Sequence, residues 1–148
     1  METYPRQDRV ILALIDIEGF GALGKRLDSL ELFDLLNAFF EEIGQRTIES
    51  GGQVIKCIGD AALVIFPADQ PRQTVGTLRN LKMNAEQTLA AKGHPTPVKI
   101  KAHIGSVLIG PLGPRENKCL DILGNEINNL FRLQSGPFVT SPELAACL

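Results

Sequence analysis

Val10-Ile11-Leu12-Ala13-Leu14-Ile15 runs directly into Asp16-Ile17-Glu18-Gly19-Phe20-Gly21, and this junction governs how the rest of the chain reads. Six aliphatic residues in a row, with no polar alternation, describe a strand covered on both faces. The run ends in a turn holding two acids and two glycines. Asp16 therefore sits at the end of a buried strand, where a carboxylate is costly unless something compensates its charge.

Working outward, a long helix is expected over 28–49. Asp28 with Glu31 three positions on forms a capping-box pattern with aspartate in the Ser/Thr place. Leu32, Leu36, Phe39 and Ile43 then mark one helical stripe, and Gly51-Gly52 supplies the left-handed residue that ends it. Two apolar stretches, 53–58 and 61–66, are separated only by Gly59-Asp60 and closed by Pro67, the pattern of a β-hairpin. A second helix over 72–91 carries Val75, Leu78, Leu81, Ala85 and Leu89 near helical spacing, and Gly93-His94-Pro95-Thr96-Pro97 stops it.

Segment 98–109 begins by alternating Val98, Ile100 and Ala102 with Lys99, Lys101 and His103, a half-exposed strand. Gly105 inside it predicts a tight turn or bulge. A loop over 110–116, a short strand over 119–123, Gly124 and a helix over 125–133 follow. The tail, 137–148, has room for one more strand and a helical turn. No repeat or low-complexity segment interrupts this order. The order β-α-ββ-α-β predicts an α/β sandwich with a mixed or antiparallel central sheet.

The chain of 148 residues fits one domain, 1–148, at roughly 100–200 residues per domain. Fifteen basic against 17 acidic residues give a net charge of −2, which leaves no basic footprint for nucleic acid or an anionic membrane. Tryptophan is absent and aromatics make up 5%, so a base-stacking platform for nucleic acid is not expected either. The aliphatic run at Val10 falls far short of the roughly 20 residues that span a bilayer. Cys57, Cys119 and Cys147 make neither a disulfide framework nor a zinc pattern, and a reducing, cytoplasmic setting is expected.

Three constellations carry possible chemistry. Asp16 and Asp60 end strands that can neighbour in one sheet, and magnesium is commonly held by one or two carboxylates plus phosphate oxygens. The plainer reading, that Asp16 caps a helix and Asp60 is a turn residue, is equally open at this point. The backbone of 17–21 lies between a strand and a helix start, where N–H groups can cradle phosphates. Asn128 and Arg132 are i and i+4 on one helix face, suited to hydroxyl and phosphate recognition or simply solvated.

Taken together, these segments resemble the class III nucleotidyl cyclase catalytic domain, the adenylate and guanylate cyclase family. The likeness runs from about Val10 to Arg132 and rests on four pieces in order: Leu14 to Phe20, Gly51 to Asp60, His103-Ile104-Gly105, and Asp121 to Arg132. It implies an α+β fold, a ferredoxin-like or palm-type βαββαβ sandwich with a mostly antiparallel sheet. The implied activity is conversion of ATP to 3′,5′-cyclic AMP and pyrophosphate, with two Mg2+ (or Mn2+) as cofactors. The alternatives are a weak or inactive nucleotide-binding or regulatory module, or a cyclase for guanine or a pyrimidine base.

By position, the resemblance makes Asp16 and Asp60 the metal ligands, with the Ile17 carbonyl a further ligand. Ile17, Glu18, Gly19 and Phe20 match the turn that holds the β- and γ-phosphates. Lys56 and Asp121 match the pair that reads adenine, Asn128 the residue that orients the ribose, and Arg132 the transition-state arginine. A head-to-tail homodimer is implied, Asp16 and Asp60 coming from one protomer and Lys56, Asp121, Asn128 and Arg132 from the other. A regulatory domain or protein outside this chain is a further implied partner. Four departures stand out. Phe131 occupies a usually small position and is expected to tilt the helix or narrow the site, and Asn129 replaces an aliphatic residue. Lys101-Ala102 replaces a Gly-Ile pair, expected to affect packing only. Family members usually continue through another strand hairpin bearing a phosphate-contacting lysine, which a sequence ending at Leu148 is expected to lack.

Overall fold

The structure, a computed structural model, describes residues 3–148. Its elements are β1 (Arg6–Ile17), α1 (Phe20–Arg26), α2 (Ser29–Glu49), β2 (Gln53–Ile58), β3 (Ala61–Pro67), α3 (Pro71–Ala91), β4 (Val98–Leu112), β5 (Cys119–Leu123), α4 (Asn125–Arg132), β6 (Phe138–Thr140) and α5 (Pro142–Ala145). The sheet runs β2-β3-β1-β4-β5, with β6 paired to β4. Every pairing along that path is antiparallel, and only β6 lies parallel to its neighbour. This is the expected βαββαβ order, with a second helix (α1) before α2 and with β5, α4, β6 and α5 following β4.

β1 is central, flanked by β3 and β4, which is why its sequence is continuously apolar. Ile11, Ala13, Ile15 and Ile17 face the layer formed by α2 and α3, together with Val64, Phe66, Ile100 and Ala102. Val10 and Leu12 face the other way, with Leu63, Ile65, Val107, Ile109 and Leu130 of α4. Burying each such side chain contributes about 1.5–3 kcal/mol, so the strand is fixed from both sides. Asp16, two positions beyond Leu14, emerges on this second face.

The long helix starts as expected: the Asp28 carboxylate accepts the Glu31 N–H at 2.9 Å. Its buried stripe is Leu35, Phe39, Ile43 and Thr47, whereas Leu32 and Leu36 are only half-buried. The helix is rotated from the expected stripe because Leu35, not Leu32, aligns with Phe39 and Ile43 over the sheet. A separate short helix, α1, occupies what reads as a turn region. Gly105 makes neither turn nor bulge: it pairs in regular register with Val10, and β4 continues through Gly110 to Leu112. What Gly105 provides is space, since a Cβ there would overlap the Glu126 side chain. Among the described residues no helix is long and apolar enough to cross a membrane.

Candidate functional site

Asp16 is the last β1 residue paired on both sides, opposite Ala61 of β3 and Lys99 of β4. Its Oδ1 is buried and has no hydrogen-bond partner. Burial pushes the Asp16 carboxyl above the usual range; Lys99 opposes that shift, and the nearby Asp60 carboxylate adds to it. Asp60 is held in the β2–β3 turn, where Gly59 adopts φ 61°, a conformation that favours glycine. A carboxylate with an orphaned buried oxygen, its ionisation disfavoured further by a second carboxylate nearby, fits a divalent cation. No group of three or more His, Cys, Asp or Glu side chains forms a complete cage among the described residues. A cation held by two carboxylates and completed by phosphate oxygens suits that arrangement.

The following turn is pinned by the Glu18 N–H, which donates to the Pro97 carbonyl at 2.9 Å. That amide is thus already engaged, and the open amides of the turn begin at Gly19, which takes φ 67° and precedes α1.

Lys56 and Asp121 come together although their strands lie at opposite edges of the sheet. The Lys56 Nζ is 3.1 Å from the Asp121 Oδ2. The register of β2 against β3 shifts between Val54 and Lys56. The extra residue, Ile55, turns Lys56 to the second face beside Leu63. The sheet curls so that its edges approach over that face. Both side chains are partly exposed, 44% and 25%, and such a pair is worth about 0–1 kcal/mol. A cavity of about 250 Å³ adjoins Asp121, walled by Tyr4, Leu108, Leu112 and Leu123.

On α4, Leu130 is buried while Asn128 and Arg132 are exposed and make no side-chain hydrogen bond or ion pair among the described residues. Arg132 borders a shallow cleft of about 200 Å³ with His103, Ser141 and Glu143. Phe131 is 41% exposed. Within the chain, no hydrogen bond or ion pair joins Asp16 or Asp60 to Lys56, Asp121, Asn128 or Arg132 among the described residues.

One polar cluster is not legible in the sequence. His103, 2% exposed, lies 2.7 Å from the Ser141 Oγ through Nδ1 and 3.2 Å from the Glu126 Oε1 through Nε2. Asn129 donates to the same Glu126 oxygen at 2.6 Å. Hydrogen bonds from His103 and then Asn129 hold the Glu126 carboxyl below its usual range. Nearby, the Lys101 Nζ donates to the Phe131 carbonyl at 3.2 Å. The only sequence signal for these contacts is the alternation that puts Lys101 and His103 on one face of β4.

Comparison with known proteins gives a consistent result. Residues 2–138 match the family described as the adenylate and guanylate cyclase catalytic domain. Adenylate cyclase 2 of Rhizobium meliloti (strain 1021) is 22% identical over 137 residues, covering 88% of this chain and 38% of that protein. The guanylate cyclase soluble subunit alpha-1 of Canis lupus familiaris is 27% identical over 132 residues, covering 85% of this chain and 19% of that protein. The chain thus spans well under half the length of either relative. Among solved structures, a bacterial light-regulated adenylyl cyclase superposes with a TM-score of 0.87 at 22% identity, covering 99% of this chain and 46% of that one.

Proposed function

The chain belongs to the family of adenylate and guanylate cyclase catalytic domains, and from that premise we propose that it converts ATP to 3′,5′-cyclic AMP and pyrophosphate as one catalytic unit, 1–148. The observation that carries the choice of ATP is the 3.1 Å approach of Lys56 to Asp121. A lysine donor and a carboxylate acceptor suit the N1 acceptor and exocyclic amino donor of adenine, while guanine presents the reverse order. Because the two side chains bind each other only weakly, a base can part them at little cost. The apolar wall beside Asp121 suits the flat face of a base.

Asp16 and Asp60 would hold two divalent ions, Mg2+ or Mn2+, with the Ile17 carbonyl as a further ligand. Such ions supply Lewis-acid activation of the ribose 3′-hydroxyl and charge neutralisation at the leaving pyrophosphate. The backbone at Gly19 and Phe20 receives the β- and γ-phosphates, Ile17 and Glu18 shaping the turn that presents it. Asn128 fixes the ribose, because in-line attack tolerates little misalignment. Arg132 stabilises the charge that builds on the α-phosphate oxygens as the 3′-oxygen attacks.

The active unit on this reading is a head-to-tail homodimer. Among the described residues no hydrogen bond or ion pair ties the Asp16–Asp60 group to the other four residues within one chain, which leaves both groups available to a partner chain. Ile58, Leu112, Leu123 and Phe131, exposed on β2, β4, β5 and α4, supply apolar surface for such an interface. Three free thiols suit a reducing, cytoplasmic compartment.

The test is incubation with each nucleoside triphosphate and Mg2+ or Mn2+, with products identified by mass spectrometry. Cyclic AMP as the dominant product is expected. Cyclic GMP as the dominant product would move the assignment to GTP, a substrate class that the guanylate cyclase relative keeps in view. No cyclic nucleotide from a verified dimer would remove the enzymatic reading altogether.

A further inference from the structure

Helix α4 bears Asn128 and Arg132, yet little holds it in one orientation. It is 8 residues long, follows Gly124 without a side-chain cap, and has one buried side chain, Leu130. A helix this short is marginal by itself, so tertiary contacts decide its pose. Apolar packing through Leu130 and Ile127 fixes the depth of α4 against the sheet. With one buried and one partly buried side chain, that packing sets which face turns inward but leaves the fine rotation of the helix to directional contacts.

Directional contacts come from three alternate positions of β4, all on the second face. At one end, the missing Cβ of Gly105 admits the Glu126 side chain, and the His103 Nε2 reaches the Glu126 Oε1 at 3.2 Å. At the other end, Lys101 donates to the Phe131 carbonyl, immediately before Arg132. His103 is itself fixed. The Ser141 Oγ accepts the Leu144 N–H at 3.1 Å, which leaves its hydroxyl proton for the His103 Nδ1 at 2.7 Å. With Nδ1 accepting, a neutral ring carries its proton on Nε2 and donates it to Glu126. Glu143 also faces the ring, 3.8 Å from Nδ1, and Arg132 borders the same cleft.

We propose that Glu126, oriented by His103, and Lys101 are positioning residues that set the rotation of α4 and so aim Asn128 and Arg132 at the nucleotide. The proposal rests on the cyclase reading of those two side chains. It gives Lys101 a role beyond the packing change expected of the Lys101-Ala102 pair. It also explains why a side chain is excluded at Gly105.

The experiment compares wild type, Glu126→Ala, Glu126→Gln and Lys101→Met by melting temperature, kcat and KM with Mg2+ and ATP. Misaiming a positioned group by about 1 Å costs about 100-fold, so Glu126→Ala is expected to lower kcat by about 10–100-fold with KM within about threefold. Glu126→Gln keeps the acceptor for His103 and Asn129 and is expected to retain kcat within about threefold of wild type. Lys101→Met, which keeps the length of the side chain and removes the donor, is expected to lower kcat with little change in melting temperature. Should Glu126→Ala fail to fold, the Lys101→Met and Glu126→Gln pair decides. Folded Glu126→Ala with kcat within twofold of wild type overturns the proposal, as does a KM increase at constant kcat or equal losses in the Ala and Gln variants. Those outcomes leave the cyclase reading intact. A wild-type protein that forms no cyclic nucleotide overturns both.

Discussion

At the residue scale, Asp16 and Glu126 are carboxylates with opposite fates. Asp16 ends a strand buried on both faces, with one oxygen shut from water and facing no donor. Its pKa is raised by burial, so the fold disfavours the ionised form, and stability declines as pH rises through the raised value. Asp16→Asn removes that decline. At neutral pH without divalent ions this variant is therefore expected to melt above wild type, by about 2–4 °C for each kcal/mol released, while losing cyclase activity and any stabilisation by Mg2+. A lower melting temperature, measured by calorimetry in chelator, would refute the burial argument. Glu126 has the reverse sign: its pKa is depressed by His103 and Asn129. It contributes stability above its usual value of 4.5, and that contribution is lost as pH falls below it. The melting temperature of Glu126→Gln is expected to fall less steeply than wild type below that pH. Parallel curves would show that the Glu126 charge does not stabilise the fold.

At the scale of elements, the two adjacent glycines after α2 do different work. Gly51 takes φ 82° and ends the helix. A Cβ at Gly52 would sit 2.5 Å from the Phe66 ring and 2.9 Å from the Ile65 carbonyl. Gly52→Ala is therefore expected to destabilise by about 1–3 kcal/mol, the usual range for overpacking, as read by denaturant unfolding. An unchanged midpoint would mean that Phe66 can swing aside. The helix stop was legible because Gly-Gly after a periodic run is local information, and the close approach to β3 was not, because it depends on a residue fourteen positions away in sequence. The same division holds elsewhere. Asp28, the 53–67 hairpin and the strand ending at Asp16 follow from neighbours in the chain. The β2 bulge that turns Lys56 inward, the use of Gly105 as space and the His103–Glu126 contact arise only when the sheet curls and α4 docks. For the candidate site, the resemblance proposed the residues. Their partners, Pro97 for the Glu18 amide and Lys99 opposite Asp16, required the pairing of β1 with β4.

At the scale of the whole molecule, the proposed function divides one chain into two half-sites: the carboxylates with the turn at Gly19, and the Lys56–Asp121 pair with α4. On that proposal, a head-to-tail pair of chains would join each half-site to its complement and yield two equivalent sites. The most direct measurement mixes Asp16→Asn with Arg132→Ala, each expected to be inactive alone, and follows cyclic AMP formation. A heterodimer has one site with both original residues and one with neither, so random pairing of equal amounts predicts about a quarter of wild-type activity. Recovery near that level is the predicted result. A silent mixture in which heterodimers demonstrably form would contradict the shared site.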